Sequence, residues 1–119
     1  MGYQNNTFVG NLASAPEITG EGDKLVCKFT LISNEYIGKD PNTNERKTRD
    51  TLIRFVGFGR IASRLEKMLM IGDQIIVDYK INNNNYERDG KTVYGFNFIV
   101  NDFDIGAPGK SRREKENEF

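Results

Sequence analysis

Along most of this chain apolar and polar side chains alternate with a period of two, and the pattern turns helical only once. Leu25, Cys27, Phe29 and Leu31 alternate with Val26, Lys28, Thr30 and Ile32, which predicts a strand with one clearly apolar face. An earlier strand is predicted from about Thr7 to Ala13, stopped by Ala15-Pro16-Glu17, with Gly20 and Gly22 marking a turn. The polar run Gly38 to Glu45 reads as an exposed hairpin loop between antiparallel strands. A third strand, about Thr48 to Phe58, places Leu52, Arg54, Val56 and Phe58 on one face and Ile53, Phe55 and Gly57 on the other. From Arg60 to Met70 the period changes. Ile61, Leu65, Met68 and Leu69 then recur at helical spacing, with Arg60, Arg64 and Lys67 turned outward and Gly72 placed to end the helix. A fourth strand follows from Gln74 to Asn82. Asp89-Gly90 is the strongest short hairpin signal, and a fifth strand from about Lys91 to Asp102 carries Tyr94, Phe96, Phe98 and Val100 on its apolar face.

The predicted order is three strands, a helix and two strands. Five antiparallel strands closed into a Greek-key barrel, with the helix plugging one end, is the OB architecture, so the fold class expected is all-β. One segment argues for something else. Phe55 to Ala62 contains a G-x-G-x-x-A turn after a strand, with Asp78 about 20 residues on, and this fits the dinucleotide-binding fingerprint. Such a site needs two parallel halves with helices on both sheet faces. The period-two segments before Ile53 and after Ile81 leave no room for those helices. Gly57 and Gly59 are then expected to relieve crowding where a barrel strand turns into the helix.

At 119 residues the chain supports one domain, expected to span 1–105, followed by a disordered charged tail at 106–119. Charge is balanced, 17 basic residues against 17 acidic, so the whole molecule is no polycation. Its distribution is uneven. Between Glu45 and Lys67 seven basic residues face three acidic ones, which permits a local positive field. One cysteine and no histidine exclude zinc fingers and histidine-based catalysis, and no metal or cofactor is expected. Cys27 reads as a small reduced core residue. Neither a secretory signal nor an apolar run of about 20 residues is visible, so a cytoplasmic protein without membrane contact is expected, and Asn5-Asn6-Thr7 is a chance sequon.

Single strands of nucleic acid are held by stacking bases on aromatic rings and by pairing phosphates with cations. Phe58 shares a strand face with Arg54, while Tyr36 and Tyr86 lie in polar extensions of strands, and these three rings are the stacking candidates. Each has a plainer reading: Phe58 as a core residue, the tyrosines as bridges from a strand rim to water. Arg54, mid-strand between apolar neighbours, is the leading phosphate contact. Lys28, Arg46, Lys47, Arg49, Lys80 and Arg88 are the further candidates. Arg60, Arg64 and Lys67 read as the solvated face of the helix.

Phe8-Val9-Gly10-Asn11-Leu12, Pro16-Glu17-Ile18, Phe29-Thr30-Leu31, Phe58-Gly59-Arg60-Ile61-Ala62, Gly72-Asp73 and Tyr86 ahead of Asp89-Gly90 follow one another in a specific order. Together they resemble the bacterial-type single-stranded DNA-binding protein family over about residues 5 to 105. The resemblance implies stacking at Phe58 and Tyr86, with Tyr36 near a third stacking position, and a basic role for Arg54. It also implies a homotetramer, with a dimer as the other assembly. Leu52 departs from an aromatic common in the family, and Ile53 from a histidine common at subunit contacts. The tail mixes four basic with three acidic residues, and only Glu116-Asn117-Glu118-Phe119 echoes the acidic tip that recruits replication and repair enzymes in relatives. A short chain with such a tip looks like a phage or mobile-element form, in bacterial or host cytoplasm.

The expected function is therefore non-catalytic coating of single-stranded DNA in replication, recombination and repair, with little sequence preference. The alternative is an OB-fold replication-restart adaptor acting mainly through protein partners. A metal-dependent nuclease would need Asp50, Asp73 or Asp78 gathered near Arg54, and nothing in their spacing groups them.

Overall fold

The computed structural model describes residues 4–117. Strands β1 (Asn6–Leu12), β2 (Glu17–Thr19), β3 (Val26–Lys39) and β4 (Arg46–Phe58) precede helix α1 (Gly59–Met68). Strands β5 (Gln74–Asn83), β6 (Tyr86–Arg88), β7 (Lys91–Val93), β8 (Phe96–Ile105) and helix α2 (Lys110–Asn117) follow. The main sheet runs β1-β5-β8-β4-β3-β2, and a β1–β3 pairing at Asn11↔Ile32 and Leu12↔Leu31 closes it. Five strands thus form the barrel, with β2 attached outside on β3. β4 meets β8 in parallel at Phe55↔Phe98, as the Greek-key order requires, and the other pairings are antiparallel. The expected OB barrel is present, with its helix between the third and fourth barrel strands.

Period-two burial explains the barrel's interior. Cys27, Phe29 and Leu31 of β3, Phe55 of β4, Ile75 and Val77 of β5 and Val100 and Phe103 of β8 all point inward and are buried. Phe55 is the hub. Its ring lies 5.1 Å from Tyr79 edge-on, 5.7 Å from Phe8 and Phe29, and 6.3 Å from Phe98. A ring removed from water in this way contributes roughly 1.5–3 kcal/mol. The other face of β4 carries Leu52, Arg54 and Phe58 and stays exposed, as the alternation predicts.

Gly57 and Gly59 have the structural role expected of them. A Cβ on Gly57 would stand 2.6 Å from Leu65 Cδ1, and Gly59 opens α1 at φ +58. They bring α1 onto the barrel end through Ala62, Leu65 and Leu69. With α1 as the single α-helix between the barrel strands among the described residues, the dinucleotide reading has no architecture to stand on.

Several expectations need correction. Glu17–Thr19 is a strand rather than a stop, because Ile18 packs on the core while its neighbours pair with Val26 and Lys28. Gly38 and Lys39 belong to β3 instead of the loop, since a bulge between Tyr36 and Gly38 lets the ladder continue to Lys39↔Arg46. Met68 is 41% exposed and Ala62 takes its place on the buried face, because the helical phase favours Ala62, Leu65 and Leu69. The fifth predicted strand is two. β7 pairs with β6 in a separate arm, and Tyr94 and Phe96 emerge exposed while Phe98 packs on the core and Val100 is buried in it. A bulge opposite Asp78/Tyr79 then shifts the phase so that Phe103 also faces in.

The tail differs most from expectation. Gly106 N–H donates to Gln74 O at 2.7 Å, Gln74 N–H donates to Ala107 O at 2.9 Å, and the chain then enters α2. Gly109 packs against the backbone of Gly72 and Asp73, and Asp73 Oδ1 accepts its N–H at 2.8 Å. Arg112 Nε donates to Asp73 Oδ2 at 2.8 Å and its Nη2 to the Met68 carbonyl. These bonds offset the low apolar content that suggested disorder. Glu118-Phe119, read as a faint partner motif, lies outside the described residues.

Candidate nucleic-acid interface

The exposed face of β3 and β4 forms the floor of an open trough of about 600 Å³. Its lining includes Lys28, Leu52, Arg54 and Phe58, with Thr19 of β2 along one side and Phe96 and Asn97 of β8 along the other. Phe58 is 51% exposed at the end of β4, opposite Val26, which removes the core-residue reading. Arg54 stands opposite Thr30 and donates from Nη2 to Glu17 Oε2 at 2.7 Å. Ring, guanidinium and ammonium therefore share one concave surface.

The same ribbon continues past the barrel as the β3–β4 arm. Tyr36, opposite Thr48, lies six residues beyond Thr30, about 20 Å along the strand. It is 48% exposed, with the Arg46 guanidinium 4.7 Å above its ring. Strand alternation puts Tyr36, Arg46, Arg54 and Phe58 on one face. Lys47 and Arg49 fall on the other face of the ribbon. Lys47 Nζ is 4.0 Å from Asp40 and Arg49 is registered against Glu35.

The remaining candidates are not in the trough. Tyr86 (half-exposed) and Arg88 belong to the β6–β7 arm, which turns at Asp89-Gly90, and Lys80 projects from β5 opposite Ile99. Arg64, read as solvated, pairs with Asp102 at 3.2 Å and lies 4.9 Å over the Phe103 ring. That arginine and the Phe103 N–H hold the Asp102 carboxyl below its usual range, the N–H having the larger effect. The carboxylates weighed for a nuclease are dispersed. Asp50 accepts from Asn34, Asp73 is buried under α2, and Asp78 projects from β5; no metal-binding group gathers among the described residues.

Neither Phe96, which lines the trough, nor Glu17, which pairs with Arg54 from outside that lining, was anticipated. Phe96, 60% exposed, was assigned to the core face because it continues a period-two aromatic run, although Gly95 beside it marks the point where the strand leaves the β6–β7 arm. It faces the trough that Leu52 lines with an aliphatic side chain. Glu17 was hidden by Pro16, which made its segment look like a break.

A closed five-stranded barrel carrying an aromatic and cationic trough is the build of an OB-fold nucleic-acid binder. The family model described as "Single-strand binding protein family" matches residues 4–105, and the chain belongs to that family. Among solved structures, a Plasmodium falciparum SSB in complex with ssDNA is similar at 24% identity and TM-score 0.68, covering 88% of this chain and 94% of that one. A small single-stranded DNA-binding protein from Streptomyces coelicolor is 15% identical with TM-score 0.68, covering 94% and 99%. The mitochondrial single-stranded DNA-binding protein Rim1 of S. cerevisiae is 16% identical with TM-score 0.68, covering 92% and 100%. No curated protein sequence matches. At these identities the structures establish the fold, and the family match stands on its own.

Proposed function

We propose that this protein coats single-stranded DNA during replication and recombination, without catalysis and with little sequence preference. The observation that carries this reading is the trough in which Phe58, Arg54 and Lys28 share one surface. Bases stack on Phe58, phosphates run along Arg54 and Lys28, and the strand continues over Tyr36 and Arg46 on the β3–β4 arm. Tyr86 and Arg88 add a second arm, with Arg49, Lys47 and Lys80 as peripheral charge. Family membership and the similarity to an SSB solved with ssDNA support this over a restart adaptor.

The assembly we propose is a homo-oligomer, with a tetramer favoured. Val9 and Ile76 stand opposite each other on β1 and β5 and are 42% and 36% exposed, an apolar pair that a second copy would cover. No helix of the described residues is long and apolar enough to cross a membrane, and the cytoplasm is the compartment we propose. Anisotropy titration with labelled oligo-dT, duplex of equal length and oligo-U tests the function. Preference for oligo-dT supports it, and equal binding of duplex overturns it. Light scattering gives the subunit number.

A further inference from the structure

We infer that Glu17 is an internal competitor for Arg54, occupying the guanidinium until a phosphate of single-stranded DNA displaces it; this rests on the DNA-coating function proposed above. Four observations converge. Arg54 lines the trough, and its Nη2 is 2.7 Å from Glu17 Oε2, inside charge-assisted hydrogen-bond range. The carboxylate comes from β2, a three-residue strand attached outside the barrel, so it is not part of the closed ladder. Both side chains are more than half exposed, 55% for Arg54 and 66% for Glu17. Finally, Glu17 is registered against Lys28, so the carboxylate that holds Arg54 also neighbours the second cation of the trough.

An exposed pair of this kind contributes little to stability and exchanges readily. A phosphate oxygen is a chemically equivalent partner for the same N–H groups, and only one acceptor can hold that position. Binding a strand therefore breaks the Arg54–Glu17 contact, and it leaves a carboxylate beside a phosphate unless Glu17 swings away. Either route lowers affinity. The pair holds Arg54 and halves the trough's positive charge in the free protein, which favours ligands that place a phosphate at Arg54 itself. Glu17 is thus a positioning residue that acts through Arg54.

The experiment measures oligo-dT affinity across a salt series for wild type, Glu17→Gln, Arg54→Gln and the double variant. Glu17→Gln should tighten binding by about fivefold at low salt. It should also steepen the log-log salt slope by up to about 0.7, the value for one more phosphate neutralised on a single strand. In the Arg54→Gln background the same substitution should change affinity by less than about twofold. Unchanged or weaker binding by Glu17→Gln overturns the inference, and so does an equal gain in both backgrounds, which would reveal general repulsion instead. Wild type that fails to bind oligo-dT overturns the proposed function as well, whereas a binding wild type with a silent Glu17→Gln overturns this inference alone.

Discussion

Arg54–Glu17 and Arg112–Asp73 have nearly the same N···O distance, 2.7 and 2.8 Å, and they do different work because of where they sit. The first pair is open to water on both sides. In the second, Asp73 is fully buried, Arg112 is 24% exposed, and the carboxylate also accepts the Gly109 N–H. An exposed pair exchanges partners at little cost, so it suits a surface that must take up and release a ligand. A buried carboxylate cannot lose its partners without leaving a charge in a dry site, so it suits a fixed joint. The joint ties α2 to the turn between α1 and β5 through Gly106, Ala107, Gly109 and Arg112, which lie beyond the family match at 4–105.

The largest expected effect tests that contrast directly. Arg112→Ala leaves Asp73 with its backbone donor but no counter-charge, and should destabilise the fold by about 3 kcal/mol. Thermal unfolding should then fall by roughly 10 °C. Oligo-dT affinity of the folded fraction should not change, because the trough is built from other elements. A stability loss under about 1 kcal/mol would mean that the two pairs are energetically alike.

Phe58→Ala gives the converse result. Loss of the stacking platform proposed at Phe58 should weaken oligo-dT binding by roughly 1–3 kcal/mol while the melting temperature stays within a few degrees. Phe96→Ala should follow the same pattern with a smaller loss, since Phe96 lines the trough from the far side. Affinity unchanged in both variants would remove the trough from the binding path.

Arg54→Gln isolates the exposed pair. Its effect on stability should stay within about 1 kcal/mol, and the salt slope of oligo-dT binding should become shallower by about 0.7. A stability loss equal to that of Arg112→Ala would show that Arg54 is a structural residue.

Much of the contrast between these regions can be traced to what each asks of the sequence. Arg54 and Phe58 were legible because they share parity on a long strand whose opposite parity is apolar, so the exposed face could be read off residue by residue. The barrel was legible for the same reason, through β3, β4 and β5. Phe96 was not, since the same parity rule assigns it to the core, and only the end of the barrel beneath it leaves the ring exposed. Glu17 lay in a three-residue strand stabilised by pairing with β3 rather than by a pattern of its own. The docked tail rests on contacts between residues 36 and 39 positions apart, where Gly109 and Arg112 reach Asp73. Nothing in the local composition of 106–119 records such a partner, and composition alone pointed to disorder.

The smallest expected effect concerns the backing of the trough. Cys27 lies on β3 between Ile18 of β2 and Gly57 of β4, with its thiol buried directly behind the exposed face. Burial, with a smaller contribution from Glu66, pushes that thiol up to about 11 from its ordinary 9. The folded state therefore keeps a proton that the unfolded state loses between those values, so stability should be full below pH 9 and fall as pH rises through 11. At pH 8 the folded thiol is both protonated and shielded, and alkylation must wait for opening. Its rate then reports how firmly β2 is held. If Glu17 serves the ligand rather than the fold, Glu17→Gln should leave alkylation within about twofold of wild type, while Arg112→Ala should speed it in proportion to the stability lost. Faster labelling of Glu17→Gln would mean that the exposed pair also clamps the β2 edge, and the division of labour between the two arginines would fail at that point.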